Sequence, residues 1–475
     1  MREKPTLHAC MPKISLEHLR NKMLFNVNFL DAKAIRRLKQ PLHICLMTEL
    51  RSQGYDEASN FLADILHDND EILGEDEIGI IVNLKSKPDY LVHIATQLHN
   101  AERERVKDNT DKECMTFLKL AVFYGELGKG LLWLAEKFYL ASIAVAMKYL
   151  IDGARLYQCC KYHYAKFILD KYPEASTEEP YQILMEVRHA CTGKDWLMWE
   201  SDLGEERPSE KLSFAVGALL HRILVDNARS VRKHDTLKSE RLARLAERRA
   251  AEANDPMKTC EAIIEVGICQ LILKNANNAQ KSFERAFKMY VAYNNAEGLC
   301  VTMMHMAAVQ QRLGNIQAAM RLLTKMGMMA IEHKLTRELG RAMHLLGEVH
   351  VNNQQPELGT PHFREAFLCF MGLEDLESKV LSTDTTASKA TCKTDKTVYI
   401  QEAEQSRLMM AVSAGQDLMK SYFGLLDKAK TCTLANFHVT EWKLSRHGWW
   451  NTRAHNKLVP CMCKDHNRSA IEVAR

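Results

Sequence analysis

A chain of 475 residues, 46% hydrophobic and 26% charged, is long enough to bury more than one core and has the balance of an ordinary folded protein. Its 64 basic and 60 acidic residues leave a formal charge of +4, too small to make nucleic acid or an anionic lipid surface the main partner. Only 21 glycines and 11 prolines punctuate it, which argues against an all-β chain and for long helices joined by short turns.

Residues 1–38 are polar and mixed and are expected to form a flexible N-terminal segment; Met1 to Pro5 lack the apolar run of a secretory signal. Residues 39–114 read as an N-terminal helical region. Pro41 can open a helix running to about Leu66, with Ile44, Leu46, Leu50 and Phe61 facing inward. Residues 115–255 read as degenerate helical repeats. Phe117, Leu120, Ala121 and Tyr124, followed by Gly128, have the spacing of a first helix, and Leu150 to Tyr172 is expected to hold a further helix pair. The most apolar stretch, Leu131 to Ile151, is broken by Glu136, Lys137 and Lys148, so no membrane span is expected. The 14 cysteines are scattered through helical patterns, which points to reduced thiols and an intracellular home.

The clearest signal lies in residues 256–374. Gly267, Ala307 and Gly347 follow one another at a constant step (307 − 267 = 40; 347 − 307 = 40). The same step carries Ala279 to Ala319 to Gly359, Phe283 to Leu323 to Phe363, and Ala286 to Met326 to Ala366. Upstream it carries Ile263 to Met303 to Met343 and Val266 to Met306 to Leu346. Two large residues followed by a small one describe one face of a helix; further on, a small and then a large residue describe its antiparallel partner. Gly314 with Asn315 marks the turn in the middle unit. One such pair cannot bury its apolar face alone, so neighbours must stack. A further step back reaches Ile223, Asn227, Ser239, Ala243 and Ala246, a degraded copy. The expectation is an all-α solenoid of antiparallel helix pairs, with three extended repeats of period 40.

Residues 375–397, rich in Ser, Thr and Lys, have little to bury and read as a linker. Residues 398–446 then read as C-terminal capping helices, with Leu408, Met409, Val412, Leu418, Tyr422 and Leu425 on the apolar side. Residues 447–475 form a basic, aperiodic tail expected to be disordered. Within it Cys461, Cys463 and His466 offer three soft ligands with only His455 near as a fourth, so no metal site is expected. No phosphate-cradling loop, dinucleotide fingerprint, nucleophile elbow or HExxH helix occurs, and neither an enzyme nor a cofactor or small-molecule substrate is expected.

Three surface features remain. Met303, Met304, Met306, Met320, Met326, Met328, Met329 and Met343 form a methionine-rich stretch, several of them on packing columns, so core packing is the expected role. Arg229, Arg232, Lys233, Lys238, Arg241, Arg244, Arg248 and Arg249 are expected on one long helix as a solvated face, with Glu240 to Arg244 a favourable pair. Binding in stacked helix pairs uses the concave surface lined by the first helix of each pair. That alignment presents Arg312, Arg341, His344, Glu348 and Asn352 as the protein-binding groove, beside Ile268, Leu271 and Met304.

The spacings resemble the tetratricopeptide repeat in a lengthened form. The chaperone-binding members of that class hold a terminal carboxylate with Asn and Lys where this chain has Ile268, Ala308 and Glu348, so that clamp is not expected. Asp89-Tyr90-Leu91 through His93 and Thr96, with Ala101-Glu102-Arg103, is similar to the tetratricopeptide repeat protein 29 family. So are Trp133, Phe138, Tyr139, Ile151-Asp152, and Met409 with Glu441-Trp442-Lys443 and Ser445-Arg446. The resemblance runs over roughly 40–446, is thin between about 175 and 215, and does not reach the linker or the tail. It implies a non-catalytic protein of the cytoplasm and cytoskeleton, in the axoneme of motile cilia and sperm flagella, with axonemal dynein or intraflagellar-transport components as partners. A general cytoplasmic motor-cargo or chaperone adaptor is the alternative.

Overall fold

A computed structural model describes residue 35 and residues 39–149, 151–198, 210–372 and 399–445. The linker expected at 375–397 and the tail at 447–475, with its Cys and His residues, lie outside the described residues, as does all of 1–38 except Ile35. The described chain is all-α: helices packed as successive antiparallel neighbours, with a single isolated antiparallel bridge between Leu197 and Lys211. Two compact units divide it at Ile223 and Leu224.

The first unit opens with α1 (Leu42–Ser52) and α2 (Asp56–Glu75). The single helix expected from Pro41 to Leu66 is therefore two. Gly54 takes φ +84° and reverses the chain between them, a conformation that glycine adopts without steric cost. α3 (Pro88–Val106), α4 (Thr110–Glu126), α5 (Leu132–Ala146), α6 (Arg155–Lys171) and α7 (Glu178–Cys191) follow. The region from 150 to 172 supplies one helix, α6, rather than a pair, because its 17 residues spend their apolar positions in one continuous run and its partner is α7. The core is built on Leu62, Ile65, Leu91, Leu98, Tyr124 and Phe138, all essentially inaccessible. Two of the buried polar groups there are met by specific backbone partners. The Asn69 amide donates to the Val82 carbonyl (3.0 Å) and accepts from the Leu84 N–H (3.0 Å), and the Glu102 carboxylate accepts from the Ala58 N–H (2.7 Å) at the N-terminal end of α2.

The second unit holds the regular repeat. α8 (Leu212–Val231) spans the boundary. After it α9 (Thr236–Glu252), α10 (Pro256–Ile272), α11 (Ala276–Ala292), α12 (Ala296–Arg312), α13 (Ile316–Glu332), α14 (Thr336–Asn352) and α15 (Pro356–Phe370) begin at a constant step of 20. The period of 40 is thus two half-periods, each one helix and one short turn. Each turn repeats one hydrogen-bond pattern: the Lys274 N–H donates to Leu271 O (3.1 Å) and the Asn275 N–H to Gln270 O (2.8 Å), and the same bonds recur at each later step of 20 through Gln354 and Gln355. The residue at the bend is left-handed every time: Asn254, Lys274, Asn294, Gly314, Lys334 and Gln354. Among these six, glycine occurs once. A left-handed Lys or Gln costs on the order of 1 kcal/mol that glycine would not.

Between the helices of a pair the packing columns meet as the spacing predicts. Gly267 of α10 lies against the ring of Phe283 on α11, so close that a Cβ on Gly267 would sit 2.5 Å from the ring; Gly347 stands in the same relation to Phe363 (2.9 Å). In the middle pair Ala307 replaces glycine and Leu323 replaces the ring, both buried. The extra methyl on Ala307 is offset by the smaller partner Leu323.

The last described elements are α16 (Ile400–Ala429) and α17 (Thr433–Ser445). α16 is the first helix of a fourth pair displaced by an insertion. The Asn295 N–H donates to Tyr290 O and the Leu335 N–H to Ala330 O, five apart in sequence; at the next copy the Tyr399 N–H donates to Phe370 O (2.9 Å), and the separation is longer by 24 (399 − 370 = 29; 29 − 5 = 24). The buried columns carry the same displacement: Leu299, Thr302 and Val309 become Leu339, Ala342 and Val349 after 40, and Ala403, Ser406 and Ser413 after a further 64 = 40 + 24. These small residues, not Leu408 and Val412, form the inward face of α16; Leu408 and Val412 are exposed. The expected apolar side is rotated because an approach over serine and alanine seats the helix closer than leucine would allow.

The packing and the turns can be tested separately. Gly267→Ala should destabilise the second unit by about 1–3 kcal/mol through overpacking, whereas Gly267→Ala with Phe283→Leu, which reproduces the middle pair, should recover more than half of that loss in a double-mutant cycle followed by urea unfolding. Lys274→Gly, Lys334→Gly and Gln354→Gly should each raise stability by up to about 1 kcal/mol, read as a higher unfolding midpoint with an unchanged denaturant slope.

Candidate protein-interaction face

The first helices of the pairs, α10, α12 and α14, bring equivalent columns side by side at steps of 40. One column holds Ile268, Ala308 and Glu348, all half-buried; another, at the helix ends, holds Ile272, Arg312 and Asn352, of which Ile272 and Arg312 are exposed and Asn352 is exposed at its rim. Arg312 and Asn352 therefore share one row, while Arg341, His344 and Glu348 lie nearer the middle of α14. Met304 and Leu271 are half-buried beside them.

Arg341 and His344 are not free to meet a partner in this state, because α16 lies over them. The Arg341 guanidinium donates to Glu338 Oε1 (2.8 Å) and stands 3.7 Å from Glu402 of α16; neighbouring Arg337 donates to the same Glu402 (2.6 Å) and lies over the Tyr399 ring at 4.9 Å. His344 is buried, with Nδ1 2.9 Å from Ser406 Oγ and its ring edge-on to Phe363. Its Nε2 is 3.3 Å from Glu348 Oε1 without forming a hydrogen bond. Burial pushes the Glu338 carboxyl above its usual range, and Arg341 opposes that shift. What the face presents at α14 is thus Glu348 and Asn352, and at α12 Arg312.

A polar cluster that sequence reasoning missed lies at the other end. Arg229 donates to Glu265 (2.7 Å) and Glu261 (2.7 Å) of α10, and Arg232 also bonds Glu265, whose side chain is almost wholly buried. The signal was available: Glu261 and Glu265 are four apart on one helix face, as Arg229 and Arg232 are three apart on another. The basic residues do not share one helix. α8 ends at Val231, and the Asp235 carboxylate accepts from the Lys238 N–H (2.9 Å) to start α9 afresh. Arg244 pairs with Glu240, Arg249 with Glu252, and Arg285 of α11 with Glu247, while Lys233, Lys238, Arg241 and Arg248 are exposed. The methionines divide as packing demands: Met303 and Met326 are inaccessible, Met304, Met306, Met320, Met329 and Met343 are half-buried, and Met328 is exposed.

His305 of α12 sits between these ends. Its imidazole stacks on Phe283 with ring centroids 5.3 Å apart and planes at 12°. Burial, reinforced by the charges of Arg232 and Arg341, pushes its pKa down to about 4 from 6.5. Among the described residues no cluster of His, Cys, Asp and Glu has the arrangement to hold a metal, and no helix is long and apolar enough to cross a membrane.

No family model matches the chain, and no curated protein matches it. Among solved structures it is similar to a Signal Transduction ATPase with Numerous Domains protein with a tetratricopeptide repeat sensor from Pyrococcus horikoshii (11% identity, 81% of this chain and 54% of that one, TM-score 0.36). This chain therefore spans about half the length of that protein. It is also similar to a putative kinesin light chain of Podosopora anserina with TPR-like repeats (12% identity, 47% and 95%, TM-score 0.30). A third is aspartyl phosphate phosphatase F from Bacillus subtilis (10% identity, 84% and 88%, TM-score 0.37). The architecture described above rests on the helix pairs of this chain itself.

The depressed His305 pKa has a signed consequence. Its folded-state value lies below the unfolded one, so the unfolded chain binds the proton more readily, and stability present above pH 6.5 is lost as pH falls toward 4. Urea unfolding of the second unit should show a loss of about 1–2 kcal/mol between pH 7 and pH 5 from this residue, and His305→Gln should flatten that part of the slope.

Proposed function

We propose that this protein is a non-catalytic scaffold that binds other proteins along the first-helix face of its second unit. The observation that carries the reading is the regular presentation of chemically mixed rows, Ile268, Ala308 and Glu348 beside Ile272, Arg312 and Asn352, on a frame of period 40. Such rows present a partner with apolar contact at one end and charge at the other, a combination suited to extended or helical segments. Function is assigned to these surface positions and not to the fold alone.

The setting we infer is the cytoskeleton of the motile cilium and sperm flagellum, where the scaffold serves axoneme assembly or intraflagellar transport and so flagellar motility. Axonemal dynein or intraflagellar-transport components are its partners in this reading. Support comes from the sequence resemblances at Asp89-Tyr90-Leu91, at Trp133 with Phe138 and Tyr139, and at Glu441-Trp442-Lys443.

Tagged protein expressed in ciliated cells should concentrate along the axoneme, and cross-linking with mass spectrometry should recover dynein or transport-train proteins linked near Arg312 and Asn352. Arg312→Glu together with Asn352→Arg should weaken that recovery by about tenfold or more without altering the melting temperature. A diffuse cytoplasmic signal with motor-cargo or chaperone partners would replace the ciliary reading with that of a general adaptor.

A further inference from the structure

α16 carries a surface that the repeat does not use. A step of 64 on from α14 places Leu408 at the position of His344 and Val412 at that of Glu348. His344 is buried against Phe363 of its partner helix, but Leu408 stays more than half exposed. The reason is length. α16 runs for 30 residues, so α17 begins only at Thr433, past the point near 420 where the regular step would start it. α17 packs against the far end, where Cys432, Leu434 and Ala435 meet Leu425 and Ala429, and Trp442 lies 5.3 Å from Tyr422.

What remains open is a stripe of four large apolar side chains: Leu408 (54% exposed), Val412 (50%), Met419 (50%) and Phe423 (61%). At about 100° per residue they fall within an arc of about 60°, and at about 1.5 Å per residue they run about 22 Å along the helix. Ile400, also exposed, lies outside that arc. A monomeric chain rarely exposes so continuous a row without a partner for it.

The spacing suits a second copy of the same helix. From 408 the intervals are 4, 7 and 4, a series that reads the same in both directions. A second copy of the helix laid antiparallel therefore sets Leu408 against Phe423 and Val412 against Met419, twice over, about a two-fold axis between positions 415 and 416. Gly415 and Gln416 flank that axis, so the bare Gly415 backbone of each copy faces Gln416 of the other and leaves room for its side chain. The polar side chains bordering the stripe include Gln401, Gln405 and Gln416, which bring no like charges together. Farther out, Glu404 and Asp427 each carry a counter-charge on their own helix, Arg407 at 2.6 Å and Lys430 at 2.9 Å. Because the row is palindromic, a second copy of this chain can meet it residue for residue along its whole length. We propose that the protein self-associates through α16 as an antiparallel, two-fold homodimer centred on Gly415. The proposal is independent of the face that holds other proteins, since α16 turns Ala403, Ser406 and Ser413, not this stripe, toward α14 and α15.

The test uses the full chain in analytical ultracentrifugation across a range of about 1 to 100 μM. Wild-type protein should pass from monomer to dimer over that range. Val412→Glu and Met419→Lys should each shift the midpoint by about tenfold or more toward monomer, with helical circular dichroism and melting temperature unchanged because both positions are exposed. The double variant should dimerise again, since an antiparallel pair sets the new carboxylate at position 412 of each copy against the new ammonium at position 419 of the other. A wild-type chain that stays monomeric, a dimer that survives Val412→Glu, or a double variant that stays monomeric would each overturn the proposal. The last outcome would do so because a parallel pair or an unrelated partner gives no rescue.

Discussion

The second unit depends on one constraint: where two antiparallel helices cross, a ring on one requires a bare backbone on the other. Phe283 occupies the space that a side chain at 267 would need, and Phe363 the space at 347. In the middle pair the constraint is met by dividing the volume differently, alanine against leucine. Because the sum is held nearly constant, each pair presents the next with a surface of the same shape, and stacking can continue without accumulating error. The glycines here are therefore chosen for volume and not for flexibility; both lie well inside helices, where glycine costs about 1 kcal/mol against alanine.

This is also why the repeat was legible in the sequence. A period shows itself when the same interaction must be satisfied at every turn, and small-against-large is such an interaction. The first unit was less legible because it is held by individual solutions: the Asn69 clamp, the Glu102 cap on α2, and the Tyr124 hydroxyl 3.0 Å from His93 each occur once. Side chains that bond between distant positions, as Glu102 does with Ala58, leave no interval to find. The break at Gly54 carries a signal in the sequence, a glycine among the polar residues Arg51, Ser52, Gln53, Asp56 and Glu57, but the inward positions Leu46, Leu50 and Phe61 on either side of it read equally well as one helix. The candidate face was legible as a set of columns and not as a set of available groups. Helical spacing places Arg341 and His344 beside Glu348, yet it carries no information about a helix that arrives later in the chain than the period allows.

The two ends of the unit are held differently. Between α8 and α10 the contact is electrostatic, with two guanidiniums around the buried Glu265 carboxylate. A buried charge of this kind is tolerable only with partners in place, so the cluster fixes the approach of those helices as much as it holds them together. At α16 the closure is steric and polar: the inward columns are reduced to Ala403, Ser406 and Ser413, and the positions equivalent to Gly340 and Met343 become Glu404 and Arg407, which pair with each other at 2.6 Å. An outward ion pair where the next helix would have docked ends the stacking.

The inserted segment enters between two atoms that remain hydrogen-bonded, the Phe370 carbonyl and the Tyr399 amide. The chain re-enters the array beside the point where it left it, so the register of the described helices on either side is tied to that contact and not to the number of residues between. The junction is accordingly a place where the polypeptide can be lengthened, shortened or reopened as new termini while the helices on either side keep their register, which makes it the natural port for grafting a reporter into the scaffold.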